Sequence, residues 1–273
     1  MKLEGRTAVI TGAGSGIGRG IALALAKRGC NLALADVNPA GIDETAAMAS
    51  NVEVSTHRID VGDREQCLAL PSAVLAAHGS VDVLFNNAGV AIGGSFEQVD
   101  ESDFNWLMEI NFGAVVRLTR AFLPHLKTRD EARIVNISSL FGLIAPPNNT
   151  AYCASKFAVR GFSQSLSNEL ALAGSTVGVV VVHPGGIRTS IAKNSRVPKH
   201  VTNAEAVEAE TMRAEFEKKF LKMPLERAGE IIVSGVEKDR PRIIVGNDAK
   251  LSALIERLAP VSYWKFLGRS MSA

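Results

Sequence analysis

Seven short runs of apolar and β-branched residues punctuate the chain: Thr7 to Ile10, Asn31 to Ala35, Val54 to Ile59, Val81 to Phe85, Arg133 to Ile137, Thr176 to Val182 and Arg242 to Val245. Between them lie segments with helical patterning, among them Ile21 to Arg28 and Phe104 to Leu123. Strands alternating with helices predict a parallel sheet covered on both faces. The run Val177-Gly178-Val179-Val180-Val181-Val182 is apolar throughout, as a central strand buried on both sides should be. No repeat, low-complexity tract or Gly/Ser linker divides the chain, so we expect one doubly wound α/β domain over 1–273.

Late in the chain the pattern changes. Met212, Phe216, Phe220 and Met223 recur every three or four residues, opposite a face carrying Glu210, Glu217, Lys218 and Lys222. This predicts an amphipathic helix within 190–223. Its apolar stripe fits packing against the body, and equally a lid whose Met and Phe side chains enclose an apolar substrate. Asp248 to Leu258 reads as another helix, opening an extension over 248–273 that holds Tyr263, Trp264 and Phe266. We expect these aromatics to cover the protein's own surface; closing a neighbouring subunit's pocket and resting on a membrane are the alternatives.

Composition narrows the picture by exclusion. The 273 residues, 47% hydrophobic, suffice for a sizeable core, and a net charge of +2 with scattered basic residues offers nucleic acid no stripe to bind. Cys30, Cys67 and Cys153 are far apart and lack metal-ligand spacing, as do the five histidines. We expect no metal site, and reduced core thiols in a cytoplasmic protein. A charged residue follows Met1 at once, so no secretory leader is expected, and no stretch is long and apolar enough to span a bilayer.

Two local patterns carry chemistry. The first apolar run leads into Thr11-Gly12-Ala13-Gly14-Ser15-Gly16-Ile17-Gly18 and then a helical segment. Such a strand, glycine turn and helix lets the backbone approach a pyrophosphate, whose charge the exposed amides of the helix start favour. The spacing is not Gly-x-Gly-x-x-Gly, because Arg19 stands where a shifted reading needs glycine. The second pattern is Tyr152 and Lys156, four residues apart on one helix face, with a strand ending in Ser138-Ser139 just before them. Bringing a phenol from about 10 to near neutrality requires about 4 kcal/mol, and a neighbouring cation supplies much of it.

Thr11-Gly-x-x-x-Gly16-x-Gly18, Asn86-Asn87-Ala88-Gly89, Asn111, Ser139 and Tyr152-x-x-x-Lys156 together resemble the short-chain dehydrogenase/reductase family in order and spacing, from about Leu3 to Thr189. The resemblance implies a Rossmann-type seven-stranded sheet in the order 3-2-1-4-5-6-7 and hydride transfer to or from a nicotinamide cofactor. Tyr152 would exchange the proton, Ser139 would hold the substrate oxygen, Lys156 would lower the tyrosine pKa and bind the nicotinamide ribose, and Asn111 would hold a water. Ser139 is preferred to Ser138 because it lies thirteen positions before Tyr152. For the cofactor, the resemblance implicates Gly12, Ser15, Gly16, Ile17 and Gly18 at the pyrophosphate, Asp60 and Val61 at the adenine, and Asn87, Ala88 and Gly89 beside the sheet centre. Tyr152 and Lys156 also face the cofactor, and Pro184, Gly185, Ile187 and Thr189 would fix the carboxamide. Asp36 would take the adenosine ribose hydroxyls and repel a 2′-phosphate, which favours NAD over NADP. Ser15 and Val37 stand where NADP-preferring members usually carry a basic residue.

The substrate side would be formed by Ser139 and Tyr152 with Met212 and Phe216. The expected function is interconversion of a secondary alcohol and a ketone on an apolar small molecule of steroid, fatty, terpenoid or aromatic type. The alternatives are an NADPH-dependent carbonyl or 3-oxoacyl reductase and, outside the enzymes, a dinucleotide-sensing regulator. The family resemblance further implies a homodimer or homotetramer. His183 reads as a structural residue at a strand end rather than an acid or base.

Overall fold

The computed structural model describes residues 1–191, 193–198, 211, 214, 218 and 220–271. They form a seven-stranded sheet: β1 (Thr7–Thr11), β2 (Asn31–Asp36), β3 (Val54–Arg58), β4 (Val83–Asn86), β5 (Ala132–Ile137), β6 (Val177–Pro184) and β7 (Arg242–Val245). The order is β3-β2-β1-β4-β5-β6-β7 and every pairing is parallel, as the apolar runs and the family resemblance implied. The order reverses between β1 and β4, so the crevice beyond their carboxyl ends is the topological switch point.

Alternation along the strands sends side chains into two cores. Ile10, Leu34, Phe85, Val135 and Val182 face α1 (Gly16–Ala26), α2 (Pro39–Met48) and α7 (Leu225–Glu237). Val9, Ala33, Leu84 and Ile134 face α3 (Arg64–His78), α5 (Ala114–Leu126) and α6 (Thr150–Leu172). Leu118 and Phe122 of α5 and Val74 of α3 are fully enclosed there; each such side chain contributes about 2 kcal/mol by leaving water. Two further helices, α8 (Asn247–Leu258) and α9 (Tyr263–Met271), follow β7.

Helix boundaries follow local chemistry. Asn38 caps α2 and precedes Pro39 at its first turn, Asp63 accepts from Glu65 and Gln66 N–H at the start of α3, and Gly79 ends α3 in the left-handed conformation. The segment Phe104 to Leu123 departs from the single helix its pattern predicts. It divides into α4 (Glu101–Met108), a π-helical turn (Glu109–Gly113) and α5, and Asn111 sits in the turn. The wider turn sets the Asn111 side chain towards the loop after β4, where the Val90 backbone satisfies it.

Candidate functional site

The glycine turn after β1 is held by its neighbours. Gly12 and Gly16 have positive φ (66° and 53°), and a Cβ on Gly18 would stand 2.1 Å from the Gly12 carbonyl oxygen. Larger residues would fill the hollow that this turn makes above α1. From β4, Asn87 donates to the carbonyls of Thr11 (2.8 Å) and Gly12 (3.2 Å), while Thr11 Oγ1 accepts from the amides of Asn87 and Ala88. Asn86 serves the interior instead, donating to Asn136 Oδ1 and Thr119 Oγ1.

Asp36 ends β2 beside this turn and is half-buried, its carboxylate accepting from Gly14 N (2.9 Å) and Asn38 N (3.0 Å). Arg19 binds the same turn and reaches α2. Its guanidinium meets Gly14 O at 2.6 Å, Glu44 at 2.5 Å and Thr45 Oγ1 at 3.0 Å. Asp60 is exposed and accepts from Gly62 N, while Val61 is buried with its carbonyl bound by Arg117.

Across the turn, Pro184 to Thr189 follow β6. Gly186 N donates to Asp248 Oδ2 (2.7 Å), Ile187 is buried, and Thr189 Cγ2 would meet a Cβ on Gly16 at 3.2 Å. A cavity of about 460 Å³ opens here, lined by Gly16 and Thr189 and by two cations, Arg188 and Lys218. It lies at the glycine turn and not at Tyr152. The fit to a dinucleotide is therefore physical: a hollow only glycines leave open, a helix start, a carboxylate at one end and cations at the other.

Ser139, Tyr152 and Lys156 come together beyond β5. Ser139 opens the 3-10 turn Leu140–Gly142; its Oγ accepts from Phe141 N (3.1 Å), and its hydroxyl lies near enough to the Tyr152 phenol to favour the phenolate. Ser138 is turned inward and donates to the Lys156 carbonyl at 2.8 Å. Tyr152 is half-buried, with Phe141 edge-on at 6.1 Å and Lys156 Nζ 5.6 Å from its ring centroid. Lys156 is 4% exposed and donates to Ile137 O (3.2 Å). A Cβ on Gly89 would stand 3.1 Å from Asn111 Oδ1 and 3.5 Å from Lys156 Nζ, so both groups flank that glycine.

The electrostatics differ from what the Tyr152 and Lys156 spacing suggests. Burial pushes the phenol up to about 12, and the group that opposes the rise is the Ser139 hydroxyl rather than Lys156. Burial also brings the lysine down to about 8, so its positive charge is itself poorly solvated. His183 is enclosed, its ring bonded to the Ser139 carbonyl.

Met212 and Phe216 lie outside the described residues. At the end of the same stripe, Met223 packs on the body and pairs with Ile187, and a Cβ on Gly186 would stand 1.9 Å from Phe220 O. Met223 and the Phe220 backbone thus lie against the body of the protein. Arg196 was not anticipated: its guanidinium stacks 3.5 Å above the Trp106 ring, binds the buried Asp103 at 2.6 Å and holds the chain after Thr189 beside Ile92. Neither it nor the Arg19–Glu44 pair leaves a local signal, because the partners are 93 and 25 residues apart.

The family model described as short chain dehydrogenase matches residues 6–200. The Mycobacterium tuberculosis protein SadH is 41% identical over 271 residues, covering 98% of this chain and 96% of SadH. The oxidoreductase UcpA of Salmonella typhimurium is 36% identical over 219 residues, 78% of this chain and 81% of its own length. Among solved structures, a short chain dehydrogenase/reductase from Burkholderia phymatum in complex with NAD superposes with a TM-score of 0.87 at 30% identity, covering 95% of both chains. A metagenomic short-chain oxidoreductase in complex with NADP gives 0.64 at 34% identity over 69% of this chain and 86% of its own. This chain belongs to the short-chain dehydrogenase/reductase family and is an oxidoreductase.

Proposed function

We propose that the protein is an NAD-dependent dehydrogenase/reductase that interconverts a secondary alcohol and a ketone on an apolar small molecule. The observation that carries this reading is the Tyr152 phenol set beside the Ser139 hydroxyl, with Lys156 buried beside the same ring. Gly12, Ser15, Gly16, Ile17 and Gly18 hold the pyrophosphate at the start of α1, and Asp36 the adenosine ribose. Asp60, Val61, Asn87, Ala88 and Gly89 line the adenine and the sheet centre; Pro184, Gly185, Ile187 and Thr189 hold the carboxamide. The bound dinucleotide supplies a hydride donor or acceptor.

Ser139 holds the substrate oxygen and Tyr152 exchanges its proton. A phenol raised to about 12 rests protonated, ready to give its proton to a developing alkoxide. In the opposite direction it must first lose that proton, and the Ser139 hydroxyl is placed to stabilise the phenolate. Asn111 and Lys156 flank Gly89 and are placed to share a water that carries the proton onward. NAD is favoured over NADP because Asp36 presents a negative charge where a 2′-phosphate would lie, and Arg19 is committed to Glu44. Residues 190–223 serve as a substrate lid, and the protein assembles as a homodimer or homotetramer.

The test is turnover with NAD and NADP across steroid, aliphatic and aromatic secondary alcohols, with Tyr152→Phe as control. NAD-linked activity lost about 100-fold or more in the variant is expected. Activity that survives the substitution removes Tyr152 from the proton step; tight NAD binding without turnover favours a sensor.

A further inference from the structure

Helix α8 has two apolar faces. Ala249 and Ala253 are buried, and the helix packs on β7 and the Leu140–Gly142 turn. On the other side Leu251, Leu254 and Leu258, spaced three and four apart, are 59%, 53% and 76% exposed. Val261, just beyond the helix, is 96% exposed, and Phe266 on the adjoining α9 is 63% exposed. Isolated surface leucines need no explanation, but a periodic row continued by an exposed aromatic does.

The charges around this row share a sign. Lys250 and Arg257, seven residues apart, run along one flank of it, and Lys265 of α9 is also exposed. The acidic residues of α8 lie elsewhere on the wheel: Asp248 is bonded to Gly186 N, and Glu256, part-buried, is two residues and so about 200° round the helix from Leu254. The face therefore offers leucines and cations together. A second copy meeting it about a two-fold axis would bring only more cations, whereas an anionic surface supplies the complement.

We propose that this face of α8 and α9 docks the protein on an anionic lipid surface, with the leucines and Phe266 at the acyl boundary and Lys250, Arg257 and Lys265 at the headgroup phosphates. None of the described helices is long and apolar enough to cross a membrane, so the attachment is peripheral. The same two helices border the candidate site. Asp248 holds the segment after β6, and the Tyr263 hydroxyl accepts from Ala145 N at 3.0 Å in the chain just after Ser139. Docking would thus bring the site to the lipid, where an apolar alcohol or ketone is concentrated. The docking itself does not depend on the proposed turnover and is measured without substrate.

The experiment is co-sedimentation of the full chain with vesicles of phosphatidylcholine alone or mixed with phosphatidylglycerol. The protein should bind the mixed vesicles at least about tenfold more tightly and be released as salt is raised. Leu254→Glu with Leu258→Glu, and separately Lys250→Glu with Arg257→Glu, should each cut that binding about tenfold or more. Because these side chains are exposed, circular dichroism and the thermal midpoint should stay unchanged, separating lost docking from lost fold. Failure to bind the mixed vesicles, or equal binding by wild type and both variants, overturns the proposal. A wild-type dimer that becomes monomeric in the leucine variant, with no vesicle binding, would assign the face to a second copy and overturn it as well.

Discussion

Nδ1 of His183 lies 2.9 Å from the carbonyl oxygen of Ser139, tying the end of β6 to the segment that follows β5. A carbonyl only accepts, so the ring proton is on Nδ1. Nε2 is buried and has no hydrogen-bond partner among the described residues. Adding a second proton would create a donor with nowhere to point. Burial accordingly pushes the imidazole down to about 4, with Arg242 and Arg160 acting in the same direction and the Ser139 carbonyl opposing.

The unfolded chain binds that proton near 6.5, so stability is complete above this value and is lost as pH falls towards 4, by about 3 kcal/mol in all. His183→Gln should remove this part of the acid limb. Urea unfolding at about pH 7 and about pH 4.5 should show the stability difference shrinking by about 2 kcal/mol relative to wild type. An unchanged difference would mean the imidazole is not held neutral.

Lys156 has a pH dependence of the same sign, displaced to alkaline pH. Its folded value, about 8, lies below the ordinary lysine value, so the penalty for burying the ammonium is fully present below pH 8 and is relieved between about 8 and 10.5. Lys156→Met should raise stability at neutral pH by up to about 3 kcal/mol while abolishing turnover. Loss of stability on this substitution would show that the bond to the Ile137 carbonyl outweighs desolvation.

Cofactor choice should respond to two carboxylates in different ways. On the proposed cofactor pose, Asp36→Asn removes the charge beside the glycine turn and should lower the NAD over NADP preference in kcat/KM by about tenfold, or about 1.4 kcal/mol. Adding Glu44→Gln loosens Arg19 and should improve NADP use further. A preference indifferent to both changes would assign the discrimination elsewhere.

Helices α1 and α7 touch through their backbones. A Cβ on Gly229 would lie 2.0 Å from the Gly20 carbonyl oxygen, and one on Gly20 would lie 2.3 Å from Leu225 O. No flexible side chain is available to yield. Gly229→Ala should cost about 2 kcal/mol or more, seen as a lowered thermal midpoint. Since α1 begins at the glycine turn, dinucleotide affinity measured by calorimetry should weaken with it.

The seven strands were legible because parallel strands buried on both faces leave unbroken apolar runs, as in Val179 to Val182. The glycine turn was legible for a related reason: Gly18 must abut the Gly12 carbonyl, and only one residue type allows it. Ser139 could be chosen over Ser138 only through the family interval, although their side chains point to different places. The π-turn at Asn111 slips a hydrogen bond without changing the residue pattern, so periodicity could not show it. The pKa directions were also hidden. Spacing predicted that Lys156 and Tyr152 share a face, but how far each is withdrawn from water depends on packing from distant segments.

The seam between β1 and β4 bears on the order in which the protein acquires its parts. Thr11 and Asn87 are bonded across it, yet 76 residues separate them in the chain. Pairing strands so distant in sequence carries a large loop-closure cost and is slow compared with forming either α1 or the β1–β2 pair. The glycine turn is steadied only once β4 has arrived. During refolding, therefore, helical signal should return before dinucleotide affinity does, and the binding site should mature with the closing of the central sheet.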